Sequence, residues 1–215
     1  MKHKSEVYSH FLVFQRLVEN LFDTKIKIFQ SDGGREFDNS QFLTHFSKCG
    51  ISFQKSCPDT QQQNGVVGRK HRHLIELART MLIASHISAR FWVDVVYTAV
   101  YIINRLPTPV LDHATPFEKL FRKQPDYSFM RVFGCKCFPN FTAKPGNKLT
   151  ARSIRCVFLG YASGYKGYRC LDPVSGRVYI SRNVQFHETV FPYHQLVSQA
   201  TTESPVTDHS LLTAP

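Results

Sequence analysis

The hydrophobic period of this chain changes once, near Arg131, and that change limits what the chain can fold into. Before it, apolar residues recur at helical spacing. Val7, Phe11, Phe14, Val18, Leu21 and Phe22 predict an amphipathic helix over residues 5–22. "KIKIFQSD" then alternates, so Ile26, Ile28, Gln30 and Asp32 share one strand face and Lys25 and Lys27 the other. A second helix is predicted after Asn39-Ser40, closing at Gly50, followed by a short strand, "ISFQKS", and a loop, "CPDTQQQNG". The next helix buries Leu74, Leu77, Ala78, Met81 and Leu82. Another, from about Ser88 to Asn104, is apolar on most faces, which suits a position packed between neighbours. A Pro-rich connection leads to Thr115-Pro116-Phe117-Glu118, a capping box with proline at the first helical position.

From Arg131 the runs are short, aromatic and β-branched ("RVFGCKCF", "RCVFLGYA", "GYRCL", "RVYISRNVQF") and punctuated by turn residues. They predict a small all-β module with a hairpin turn over Leu171–Arg177. Beyond Pro192 the chain is polar and Ser/Thr-rich, without Lys or Arg, and is expected to be disordered. The expected organisation is therefore 1–110, 111–130 as a connecting helix and linker, 131–192 as the β module, and 193–215 as a tail.

Charge narrows the partners. The chain has 215 residues and a formal net charge of +11, so a polyanion, nucleic acid before membrane, is the expected partner. No apolar run is long enough to span a bilayer, and the N-terminal segment is amphipathic, unlike a secretion signal. Six cysteines form no C-x-x-C pair. Cys135 and Cys137 point one way on a strand and read as core filling, and the six together suggest a reducing, intracellular compartment, nucleus or cytoplasm, and neither a zinc site nor a disulfide framework.

Two local features carry chemistry. Asp32 ends a strand just before Gly33-Gly34, which suits either a metal ligand or a turn-forming Asp. The run Arg69-Lys70-His71-Arg72-His73 opens a helix, where it is either a solvated face or a phosphate-binding end. His71 and His73 are two apart and diverge, so they are poorly placed for a shared metal.

Together the segments "KHKSEVYSHF", "TKIKIFQSDGGREF", "CPDTQQQNGVVGRKHRHLIELARTML" and "FWVDVVYTAVYIINRLPTPVLDHATPFEKLF" resemble the integrase core of copia-type retrotransposon polyproteins. "RVFGCKCFPNF" and the runs after it resemble the SH3-like β module that follows that core. The resemblance implies a truncated α/β, RNase H-like core, without its first strands, plus a small all-β SH3-like barrel. It also implies polynucleotidyl transfer by an Asp-Asp-Glu triad holding two Mg²⁺ or Mn²⁺ ions, DNA as partner, and multimers of the chain acting in the nucleus. Asp32 matches the second Asp. Positions 33 to 67 give the family's 35 intervening residues, and the next position, where the family has its Glu, is Gly68. One base change turns a Glu codon into a Gly codon, so decay is the direct reading.

The first Asp and the zinc-binding domain precede the segment at which this chain begins. Only two strands of the core sheet are readable, so marginal stability is expected there. Glu76 lies about 12 Å along the helix and roughly 80° around it from position 68, too far to substitute. Glu36 sits beside the ligands in the family and is no replacement; Asp59 is the least implausible stand-in. Asp32 is then the one metal ligand and a remnant of the catalytic set. Asn64, Arg69, Lys70, Arg72 and His73 are the expected nucleic-acid contacts, and Lys148, Arg152, Arg155 and Lys166 give the β module its own positive charge. The expected function is a catalytically inactive, nucleic-acid-binding integrase fragment. The alternatives are a decayed fragment without selected activity and a non-enzymatic interaction protein.

Overall fold

Aromatic packing organises the N-terminal part of the chain. The computed structural model describes residues 3–56, 65–140 and 153–193. Packing divides the chain into two compact units, Met1–His71 and Arg72–Pro215.

In the first unit a 3-10 turn at Lys4–Glu6 runs into helix α1 (Val7–Phe22). Strand β1 (Ile28–Ser31), helix α2 (Ser40–Cys49) and strand β2 (Ser52–Lys55) follow. β1 and β2 pair in parallel, with Phe29 opposite Phe53. As expected, the Asn39 side chain caps α2 by accepting from the Phe42 N–H, and Gly50 ends it in the left-handed conformation. Phe11, Phe42, Phe46 and Ile51 form the core, with Phe29 and Phe53 packed against it. Phe11 meets Phe29 and Phe46 edge-on, with centroids 5.2 and 5.6 Å apart.

One expectation about a face is corrected here, and one left open is decided. The buried stripe of α1 runs through Phe11 and Gln15, whereas Phe14 and Leu21 are exposed. On β1 it is Phe29 that turns to the core, while Ile28 is 56% exposed. Periodicity finds a helix or strand but cannot choose between two apolar stripes; the phenylalanines of α2 make that choice by offering the larger area to bury.

Helix α3 (Gly65–Ser85) begins in the first unit and continues into the second. In the second unit a 3-10 turn at Ala89–Phe91 leads to helix α4 (Trp92–Ile103), and helix α5 (Pro116–Phe121) follows. At α5 the Thr115 hydroxyl accepts from the Glu118 N–H with Pro116 in the first turn, as the sequence predicts. Strands β3 (Lys136–Pro139), β4 (Cys156–Tyr161), β5 (Tyr168–Leu171), β6 (Val178–Ser181) and β7 (Val184–His187) then make an antiparallel sheet. Its strand order is β6-β5-β4-β3-β7. Phe186 of β7 lies 4.9 Å from the ring of Tyr168 on β5. These strands are three apart in that order, so the sheet curls on itself, as an SH3-like barrel does. The hairpin turn is present, closed by the Asp172 N–H donating to the Arg177 carbonyl at 2.8 Å.

β4 is buried on both faces. One face, through Val157 and Leu159, packs with Ala78, Val95 and Ala99 of the helices. The other, through Cys156 and Phe158, lines the interior with Cys135, Cys137 and Cys170. The four cysteines therefore fill core, as predicted for Cys135 and Cys137, and among the five described only Cys49 is exposed. Burial pushes the Cys135 and Cys156 thiols up to about 12. A raised folded-state value gives stability that is complete below the ordinary thiol range near 9 and lost between there and about 12. Alkaline unfolding with a midpoint in that window, delayed in a Cys135→Ala, Cys156→Ala variant corrected for its packing loss, is the expected titration.

Helix α4 departs from expectation. Val95, Thr98, Ala99 and Ile103 are buried, but Trp92 and Tyr97 are 60% and 69% exposed, so one face is uncovered. An apolar composition on all faces does not require neighbours on all faces.

Candidate nucleic-acid interface

The segment after β1 is held by its own side chains. Asp32 is exposed, and its Oδ1 accepts from the Gly34 N–H at 3.2 Å. Gly34 in turn accepts at its carbonyl from the Phe37 N–H at 2.9 Å and the Asp38 N–H at 3.0 Å. The turn-forming reading of Asp32 is thus satisfied locally. A Cβ added at Gly34 would stand 3.3 Å from Asp32 Oδ1 and 3.0 Å from Glu36 Oε2. Both carboxylates therefore overhang Gly34. Glu36 Oε2 also lies 3.5 Å from Lys4 Nζ, and Asp38 binds Lys55 at 2.6 Å, which ties the segment to β2.

Position 68 lies in the first turns of α3. Among the described residues nothing stands within 4 Å of a Cβ added at Gly68, so neither crowding nor a close neighbour among them requires glycine there. Gly68→Ala is expected to stabilise the chain by about 0.5–1 kcal/mol, a rise of roughly 1–4 °C in melting temperature. An unchanged or lower melting temperature would show that the glycine has a structural role in α3.

Arg69, Lys70, Arg72 and His73 are all exposed along α3. Among the described residues none of them is ion-paired with an acid. The Arg69 guanidinium folds back over the start of the helix, its Nη1 2.9 Å from where a Gly65 Cβ would be. There it adds a formal charge to N–H groups that already favour an anion. Glu76 is exposed further along the same helix. Asn64, Asp59, Lys148 and Arg152 lie outside the described residues. Arg155 is exposed, and Lys166 sits 3.9 Å from Asp126. Asp32 and Glu36 are thus neighbours over Gly34, and the basic residues follow one another along α3.

The donor set does not fit a two-metal centre. Among the described residues no three His, Cys, Asp or Glu side chains come together in a way that could hold an ion. Position 68 supplies no oxygen, and Glu36 is engaged by Lys4.

Comparison with known proteins places this geometry. Residues 135–199 match the retroviral polymerase SH3-like domain. The Pol polyprotein of transposon RE1 from Arabidopsis thaliana is 43% identical over 206 residues, 96% of this chain. The chain is homologous to a segment of the Pol polyproteins of copia-type retrotransposons. The RE2 polyprotein of the same plant is 42% identical over 90% of this chain. This chain spans about a seventh of such polyproteins, 14% of the first and 13% of the second. The HTLV-2 integrase catalytic core domain, solved in complex with magnesium in a trimeric form, is similar at 16% identity. That likeness covers 56% of this chain and 71% of that one, with a TM-score of 0.41.

Sequence reasoning did not find the cationic and aromatic cleft beside α4. The one local signal for it is Tyr101 and Arg105, four apart, whose side chains meet on a helix.

Proposed function

We propose that this integrase-derived chain binds DNA through the phosphate backbone and does not catalyse strand transfer on its own. The observation that carries the reading is the exposed row of Arg69, Lys70 and Arg72 at the start of α3, directly after a residue without a carboxylate. Guanidinium and ammonium groups beside helix N–H donors bind phosphate without reading bases. Asn64 and His73 would extend the contact on either side. Asp32 keeps one carboxylate of the transfer chemistry, and one carboxylate cannot position both an attacking and a leaving oxygen. In this reading residues 1–110 correspond to the catalytic core, 111–130 to a connector and 131–192 to the β module, and the chain works inside the cell, self-associated on DNA.

The test is strand transfer with a labelled duplex in Mg²⁺ or Mn²⁺, run beside binding to the same duplex across a salt series. No transfer, with binding that weakens steeply in salt, is expected. Transfer abolished by Asp32→Ala would refute the inactive reading and point to Asp59 as the completing acid. Binding indifferent to salt would refute the phosphate reading.

A further inference from the structure

The second unit carries a cleft beside α4 that the DNA-binding reading does not use. It encloses about 500 Å³, walled by Val93, Tyr97 and Val100 of α4 and floored by Leu159. It runs on, through the shared residues Tyr101, Arg105 and Tyr161, into a second hollow of about 370 Å³. Val93 and the ring of Tyr97 gain from being covered, and among the described residues of their own unit none covers them.

Charge indicates the kind of occupant. Arg105, Lys123, Lys166 and Arg169 line the two hollows, against two acids, Asp94 and Asp126. Both acids are already engaged: Asp94 by Arg169 at 2.8 Å and Asp126 by Lys166 at 3.9 Å. Among the described residues Arg105 and Lys123 have no acidic partner. The Arg105 guanidinium lies 3.4 Å from the centroid of Tyr101 and 4.5 Å from that of Phe117. Stacking fixes its plane. Its Nη1 donates to the Tyr101 carbonyl at 3.0 Å, and the other N–H groups suit a carboxylate.

The same stacking argues against a nucleobase. Tyr161 stacks on Tyr101 at 3.7 Å, and because Arg105 covers Tyr101 at 3.4 Å, the two must occupy opposite faces of that ring. Phe129 is stacked on Tyr168 at 4.2 Å, with Lys166 over its ring. Tyr101 and Phe129 therefore offer no free face for a base to stack on, and among the lining rings it is the exposed Tyr97 and Tyr165 that single-stranded DNA would have to use. An aliphatic side chain fits the α4 wall, and a neighbouring carboxylate fits Arg105 and Lys123.

We propose that this cleft docks an acidic amphipathic peptide segment of a partner protein, with an aliphatic residue against Val93 and Val100 and a carboxylate on Arg105. The experiment selects a displayed library of random 12-residue peptides on the full 215-residue chain. It then measures fluorescence anisotropy of a labelled consensus peptide. An aliphatic anchor flanked by Asp or Glu is the expected consensus. Its affinity should fall at least tenfold in Val93→Glu and in Lys123→Glu, two exposed substitutions expected to leave the circular dichroism spectrum unchanged. Arg105→Gln should flatten the salt dependence of binding; if that variant misfolds, the first two carry the test. The proposal is overturned by the absence of a consensus, by a consensus without acids, or by equal affinity for Val93→Glu. Displacement of the peptide by single-stranded DNA of 12 nucleotides at equal potency would also overturn it, and would assign the cleft to nucleic acid.

Discussion

Replacing Arg69, Lys70 and Arg72 together with glutamate is expected to lower affinity for duplex DNA by a hundredfold or more at low salt. Each removed phosphate contact is worth about 1 kcal/mol or more when the donor is charged, and every 1.4 kcal/mol is roughly tenfold. The residues are exposed on α3, so the substitutions cost the fold little. The salt dependence supplies a second readout. Losing three phosphate contacts should flatten the slope of log affinity against log salt by about 2.7, which a fall in stability would not reproduce. Because phosphate contacts carry no sequence information, the loss should be uniform across duplexes of different sequence. Unchanged affinity would show the basic row to be a solvated helix face and would move the DNA contact elsewhere on the chain.

Gly160→Ala is expected to be strongly destabilising. Gly160 has φ +120, a conformation that side chains resist, and a Cβ there would collide with the hydroxyl of Thr98. The single hydrogen of that hydroxyl is shared between the Asp94 carbonyl at 2.8 Å and the Leu159 carbonyl at 3.3 Å, so it cannot move away without losing the contact between α4 and β4. The register of β4 on β5 also shifts between Phe158 and Gly160. The strand therefore bulges where the helix crosses it. Overpacking and backbone strain together are expected to cost about 3 kcal/mol or more, a fall of roughly 6–12 °C in melting temperature. Adding Thr98→Ala removes the collision but not the backbone strain, so the double variant should recover only part of the loss. Full recovery would mean that the left-handed conformation is not required.

These two glycines show how differently one residue type can be read. Gly68 was informative in the sequence, because a spacing of 35 residues from Asp32 places it where the family has an acid. The structure adds that nothing nearby among the described residues needs it to be glycine. Gly160 was silent in the sequence, a glycine within a β-rich run. Its role depends on Thr98, 62 positions away, and no local pattern reaches that far.

The sequence by itself determined the element types, the caps at Asn39 and Thr115, the cysteine-filled interior and the family, because each is set by local spacing or by a motif read in order. Only the tertiary structure decided which stripe of α1 and which face of β1 are buried, that Asp32 and Glu36 converge over Gly34, and that α4 leaves Trp92 and Tyr97 uncovered. Those outcomes depend on which surfaces meet. Burial is proportional to the area removed from water, and that area is fixed by partners distant in the chain.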